Sequence, residues 1–162
     1  MPEHTDIEMR LTVNGRAQHW RVQPGETLLE ALHHHNFKGT KLVCGTGDCC
    51  ACGVMLNGES VNACCMLAAQ AEGAEVLTVE GLARGAKLHP IQEAFAQAGA
   101  AQCGFCTPGL IMRTYALLQE QPDPTEAEVR AALGGNICRC TGYVKPVEAA
   151  LRAAKMMQQA SE

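Results

Sequence analysis

Ten cysteines stand in 162 residues, and they are grouped rather than scattered. KLVCGTGDCCACG carries Cys44, Cys49, Cys50 and Cys52, and Cys64 and Cys65 follow it. Two further groups, QCGFCTPG and NICRCTGY, supply Cys103, Cys106, Cys138 and Cys140. Thiols at such spacing serve either as disulfides in a secreted chain or as metal and redox groups in a reducing compartment. The opening MPEHTDIEMR is polar and lacks the apolar core of a secretory leader, and no twin arginine follows it. No apolar run approaches transmembrane length. The expectation is a cytoplasmic chain with reduced thiols, used mainly to ligate metal.

Cys44, Cys49 and Cys52 follow the spacing C-x4-C-x2-C, and Cys64 comes after eleven intervening residues. This is the plant-type ferredoxin spacing for a [2Fe–2S] cluster. Each iron takes two thiolates, and the oxidised four-thiolate centre carries about −2 by formal counting. A loop around it must bring backbone N–H groups to the sulfurs, and Gly45, Gly47 and Gly53 allow that approach. The segment VMLNGESVNAC then returns the chain to deliver the fourth ligand. Four cysteines also suit zinc, although structural zinc sites usually pair two short cysteine knuckles. A zinc module would be colourless.

Cys103 and Cys106 precede one expected helix, and Cys138 and Cys140 precede another. Two helix N-termini would then face one anionic centre, where dipoles and free N–H groups favour negative charge. Thr107 and Thr141 are the expected caps. Alone, C-x-x-C could be a thioredoxin-like redox pair, but that leaves C-x-C unexplained and lacks a βαβ setting.

These groups need rigid elements to hold them. Ile7, Met9, Leu11 and Val13 alternate with polar residues, the period of a half-buried strand. Asn14-Gly15 predicts a hairpin, and the return strand carries Trp20 and Val22. Pro24-Gly25 ends it. A short helix follows, capped by Thr27 with Glu30, its inner face Leu28, Leu29 and Leu32. Asn57-Gly58 predicts a second hairpin, and EVLTVE a last strand. The second half reads as four helices. One starts at Pro90 and ends at Gly99, with Leu88, Ile91 and Phe95 on one face. Another starts at Thr107-Pro108. A third has the capping pair Thr125 and Glu128 and stops at Gly134. The last carries Val147, Ala150, Leu151 and Ala154 on one stripe. The predicted class is α+β: a β-grasp, plant-type ferredoxin-like domain over 1–80, a linker over 81–87, and a four-helix bundle over 88–162. A net charge of −4 and a pI near 5.9 argue against a nucleic-acid or anionic-membrane partner.

The combination CGTGDCCAC…C, QCGFCTPG and GNICRCTGY resembles the small iron–sulfur subunit of the xanthine dehydrogenase family of molybdenum hydroxylases. That family includes aldehyde, carbon monoxide, N-heterocycle and aroyl-CoA oxidoreductases. The resemblance covers nearly the whole chain. It implies two [2Fe–2S] clusters: a distal one on Cys44, Cys49, Cys52 and Cys64, and one near the molybdenum cofactor on Cys103, Cys106, Cys138 and Cys140. It implies that Gln102 and Cys140 lie beside the molybdopterin of a large partner subunit. Electrons would pass from there through both clusters, usually to FAD in a medium subunit. The chain itself would carry no catalytic residue. A stand-alone two-cluster ferredoxin serving several partners is the other reading.

Cys50 and Cys65 are left over after eight ligands are assigned, and both are expected to be small buried side chains, the other reading being that Cys50 tunes the cluster's potential or swaps in as a ligand. Cys50 stands where the family usually has Gly, and Val43 and Thr46 also depart from the common pattern. If that position has positive φ, a cysteine there costs on the order of 1 kcal/mol. His33, His34 and His35 are expected to form a solvated helix end, because adjacent helical residues do not share a face. Met156 and Met157 read as packing residues, and Trp20 as sheet core or subunit contact.

Overall fold

The computed structural model describes residues 6–159. Residues 1–5 of the polar opening therefore lie outside the described residues. Strands β1 (Ile7–Val13) and β2 (Arg16–Val22) form the expected hairpin, from Ile7 opposite Val22 to Val13 opposite Arg16. Asn14 and Gly15 both take positive φ, 52° and 75°, giving the turn whose twist matches the strands. Asn57 and Gly58 do the same, at 49° and 89°, between β3 (Gly53–Leu56) and β4 (Glu59–Asn62). β5 (Glu75–Leu77) completes a mixed sheet in the order β2-β1-β5-β3-β4, parallel to β1 and antiparallel to β3.

EVLTVE is strand only at its start, and Val79–Leu82 is a 3-10 turn. Asn14 explains the stop. Its Oδ1 accepts from Thr78 N (2.8 Å) and its Nδ2 donates to Thr78 Oγ1 (3.0 Å). The backbone N–H that would extend the ladder is thus taken by a side chain.

Helix α1 (Leu28–His34) starts at the Thr27–Glu30 capping box and buries Leu28, Leu29, Ala31 and Leu32. They pack on Met9, Leu11, Val13, Trp20, Val22, Val54 and Val76. A second core gathers Ile91, Phe95, Leu110, Met112, Leu133, Val147 and Ala150 from α2 (Pro90–Gln97), α3 (Thr107–Glu120), α4 (Glu126–Leu133) and α5 (Val144–Gln159). Met55 of β3 belongs to this second core, so the sheet contributes to both. Alanines at 94, 149, 150, 153 and 154 are buried, which permits close helix approach. The chain is thus α+β, with one mixed sheet and five α-helices among the described residues. No helix among them is long and apolar enough to cross a membrane.

Several local expectations need correction. Leu88 precedes α2 and is exposed, and Ala94 completes the inner face instead. Thr107 is inside α3, not its cap. Leu110 N already bonds Cys106 O (3.0 Å), so the helix starts one residue earlier, with Cys106 at the cap position. Gly134 does end α4, but at φ −60°, without the left-handed conformation that favours glycine there. α5 starts at Val144, beyond the reach of Thr141 as a cap.

Candidate metal centres

The first thiol group sits on a loop and one 3-10 turn. Cys44, Cys49 and Cys52 line the loop between α1 and β3, and Cys64 lies on the turn Ala63–Cys65 after β4. The second hairpin therefore delivers the fourth thiol, as the spacing requires. Cys49, Cys52 and Cys64 are buried, and Cys44 is half-buried. Thr46 N points at Cys44 Sγ (3.4 Å). Hydrogen bonds from the Thr46 and Cys49 backbones pull the Cys44 thiol down to about 5. Burial, with Cys64 beside it, pushes Cys52 up to about 12. Burial also raises Cys49. Four thiols gathered in one largely buried site suit a cationic iron core that takes all four as thiolates.

In the second group Cys103 and Cys140 Sγ lie 3.6 Å apart. Metal–thiolate bonds of about 2.3 Å in a tetrahedral site put neighbouring sulfurs roughly 3.8 Å apart. Cys106 and Cys138 form the other pair, within hydrogen-bonding reach of each other. Burial followed by Cys138 pushes Cys106 up to about 12. At Cys138 burial raises the pKa, but hydrogen bonds from Thr141 and others outweigh it and bring the thiol to about 7. Thr141 N and Oγ1 stand 3.5 and 3.0 Å from Cys138 Sγ, and the same Oγ1 accepts from Tyr143 N (3.3 Å) just before α5.

Pairing also marks the first group, where Cys44 faces Cys49 and Cys52 faces Cys64. Among the described residues no three His, Cys, Asp or Glu side chains converge on a point as one ion would need. Two pairs per group match the two irons of a [2Fe–2S] centre better than the single tetrahedron of zinc. The donor sets thus fit the expected clusters.

The loops of the two groups touch. Ile137 N donates to Cys49 O (3.0 Å), one residue from Cys138. Buried Asn136 donates through Nδ2 to Cys50 O (3.1 Å). A Cβ on Gly109 would lie 2.2 Å from the same carbonyl, so only glycine lets α3 settle on residues 50–51. Tyr143, at φ 65°, donates from its hydroxyl to Asn136 O (2.8 Å) and accepts from Cys138 N (2.9 Å). Asn136, Ile137, Gly109 and Tyr143 were absent from the sequence-based candidates. Of these, only Gly109 carried a signal, as a glycine inside a helix wants a packing reason.

The leftover cysteines are not buried. Cys50 is half-buried with φ 52°, and its side chain turns toward Gly135 across a cleft shared by both halves. Cys65 is exposed. Gln102 is also exposed, beside exposed Cys103. The three histidines diverge: His33 Nε2 meets Thr40 O (2.6 Å) and His34 Nδ1 meets Glu26 Oε1 (2.7 Å). His35 stacks on buried Trp20 at 4.3 Å and 3°. They are no chelate, yet only His34 is the solvated residue expected of all three.

Two family models match: "2Fe-2S iron-sulfur cluster binding domain" over residues 11–82, and "[2Fe-2S] binding domain" over residues 78–151. The nicotinate dehydrogenase small FeS subunit of Eubacterium barkeri is 44% identical over 91% of this chain and 94% of its own. The xanthine dehydrogenase iron-sulfur-binding subunit of Escherichia coli O157:H7 is 44% identical over 92% and 95%. Among solved structures, a chain of quinoline 2-oxidoreductase from Pseudomonas putida 86 superposes with a TM-score of 0.93. It is 36% identical, covering 98% of this chain and 99% of that one.

Proposed function

The chain belongs to the small [2Fe–2S] subunits of the xanthine dehydrogenase family of molybdenum hydroxylases, and from this we propose how its residues carry electrons through a larger complex. It is the electron-transfer component of an oxidoreductase, with two [2Fe–2S] clusters and no substrate site of its own. Each cluster, when bound, exchanges one electron at a time. We assign the distal cluster to Cys44, Cys49, Cys52 and Cys64, and the other to Cys103, Cys106, Cys138 and Cys140. The observation that carries the reading is the hydrogen bond from Ile137 N to Cys49 O, at 3.0 Å. It ties a ligand of one cluster to the neighbour of a ligand of the other, giving a short bonded route between them.

Orientation in the complex follows from exposure. Cys103 and Cys140 open to the surface, and Gln102, Phe105, Ile137 and Val144 lie exposed near them in the sequence. An apolar exposed surface is what a partner covers. We place the large molybdopterin subunit there, with Gln102 and Cys140 beside the pterin. A medium FAD subunit would take electrons from the distal cluster. On this reading residues 1–80 form the ferredoxin-like domain, 81–87 the linker, and 88–162 a four-helix bundle, and the complex works in the cytoplasm.

Cys140→Ser tests the assignment in the purified complex. It should abolish the signal of one cluster, leave the other intact, and slow reduction of the distal centre by substrate. Loss of only the distal signal would overturn the order. A lone chain that purifies without large subunits and serves unrelated acceptors would favour the stand-alone ferredoxin.

A further inference from the structure

Cys65 is a fifth thiol beside the first metal site. Its Sγ lies 3.7 Å from Cys64 Sγ, within reach of a sulfur hydrogen bond. It also lies over Gly47, where a Cβ would come within 2.7 Å of it, so the ligand loop leaves room for this sulfur. The same loop is pinned alongside by Asn62 Nδ2, which donates to Gly47 O (2.9 Å). Cys64 is buried and Cys65 exposed, though adjacent on one 3-10 turn.

With four thiols already paired two and two, the centre has no vacancy for a fifth. We propose that Cys65 is a positioning residue for the distal cluster, donating its S–H to the ligand sulfur of Cys64. The direction is fixed by ligation. A thiolate bound to iron has no proton to give, so Cys65 must be the donor. Hydrogen bonds to ligand sulfurs offset the negative charge gained on reduction, and so raise a cluster's potential. Cys65 thereby makes the distal cluster a better electron acceptor from its neighbour, favouring flow away from the partner's active site. No covalent step is involved.

This inference rests on the cluster assignment above, and the experiment separates the two. The purified complex is titrated reductively with EPR detection, comparing the natural chain with Cys65→Ala and Cys65→Ser. Loss of one signal in Cys44→Ala identifies the distal cluster. If the natural chain shows no such pair of signals, the assignment itself fails. Given both signals, Cys65→Ala should keep full iron content and lower only the distal potential. The expected shift is up to about tenfold in the electron-sharing equilibrium, or 59 mV for a one-electron centre. Cys65→Ser keeps a donor and should recover part of the shift. An unchanged distal potential in Cys65→Ala would overturn the proposal. So would loss of distal iron, which would make Cys65 a ligand instead.

Discussion

Cys50 shows how much a single position can reveal and conceal. Its place in the cysteine run made it look like a surplus ligand, and only its departure from the family's glycine hinted at strain. The structure gives it φ 52° and turns its side chain toward Gly135. The left-handed region costs a non-glycine residue about 1–2 kcal/mol. Cys50→Gly should therefore raise stability by about 1 kcal/mol in urea unfolding, after glycine's greater freedom in the unfolded chain takes its share. Both cluster signals should persist. Gly109 is the converse case, since a methyl group there meets Cys50 O at 2.2 Å. Gly109→Ala should destabilise by about 1–3 kcal/mol as an overpacked contact. It should also slow electron transfer between clusters in flash-reduction measurements. The eight cysteines proposed as ligands stand out in the sequence because iron demands thiolates at fixed spacing. Cys65 does not, because a donor to a ligand looks in sequence like any small residue.

Among the elements, those governed by local chemistry were readable in advance. Both Asn-Gly turns, the alternation of β1 and the two Thr–Glu capping boxes depend on residues at most four positions apart. The misreadings fall where distant partners intervene. β5 is short because Asn14, far away in the chain, takes the Thr78 backbone N–H at 2.8 Å. Thr107 and Thr141 fail as caps because the cysteine loops beside them set where the helices begin. The α4 box offers a test. Thr125→Ala should cost about 1 kcal/mol in the same unfolding assay. Hydrogen bonds from Gln121 and then Thr125 hold the Glu128 carboxyl at about 2, below its usual 4.5. A carboxylate depressed in the folded state contributes its full stabilisation above pH 4.5, and loses it as pH falls through about 2. The stability gap between the natural chain and Glu128→Ala should thus be largest near neutral pH and shrink as pH falls from about 4.5 to about 2.

For the whole molecule the informative feature is the joint between the two cores. Asn136 is buried and donates through Nδ2 to Cys50 O across it, at 3.1 Å. Asn136→Ala leaves that carbonyl without this donor and should cost about 1–3 kcal/mol. Differential scanning calorimetry would register the loss as a lower transition for the joined halves. Periodicity and caps could outline both halves, yet neither could show that their loops meet, because no local pattern encodes contacts some 86 positions apart. On the proposed ligand assignment, that meeting joins two metal sites into one electron route. Metal analysis with EPR of the dithionite-reduced complex tests this most directly. About four irons per chain and two distinct [2Fe–2S] signals are expected from eight thiolates in two sets. A colourless preparation holding only zinc would contradict it.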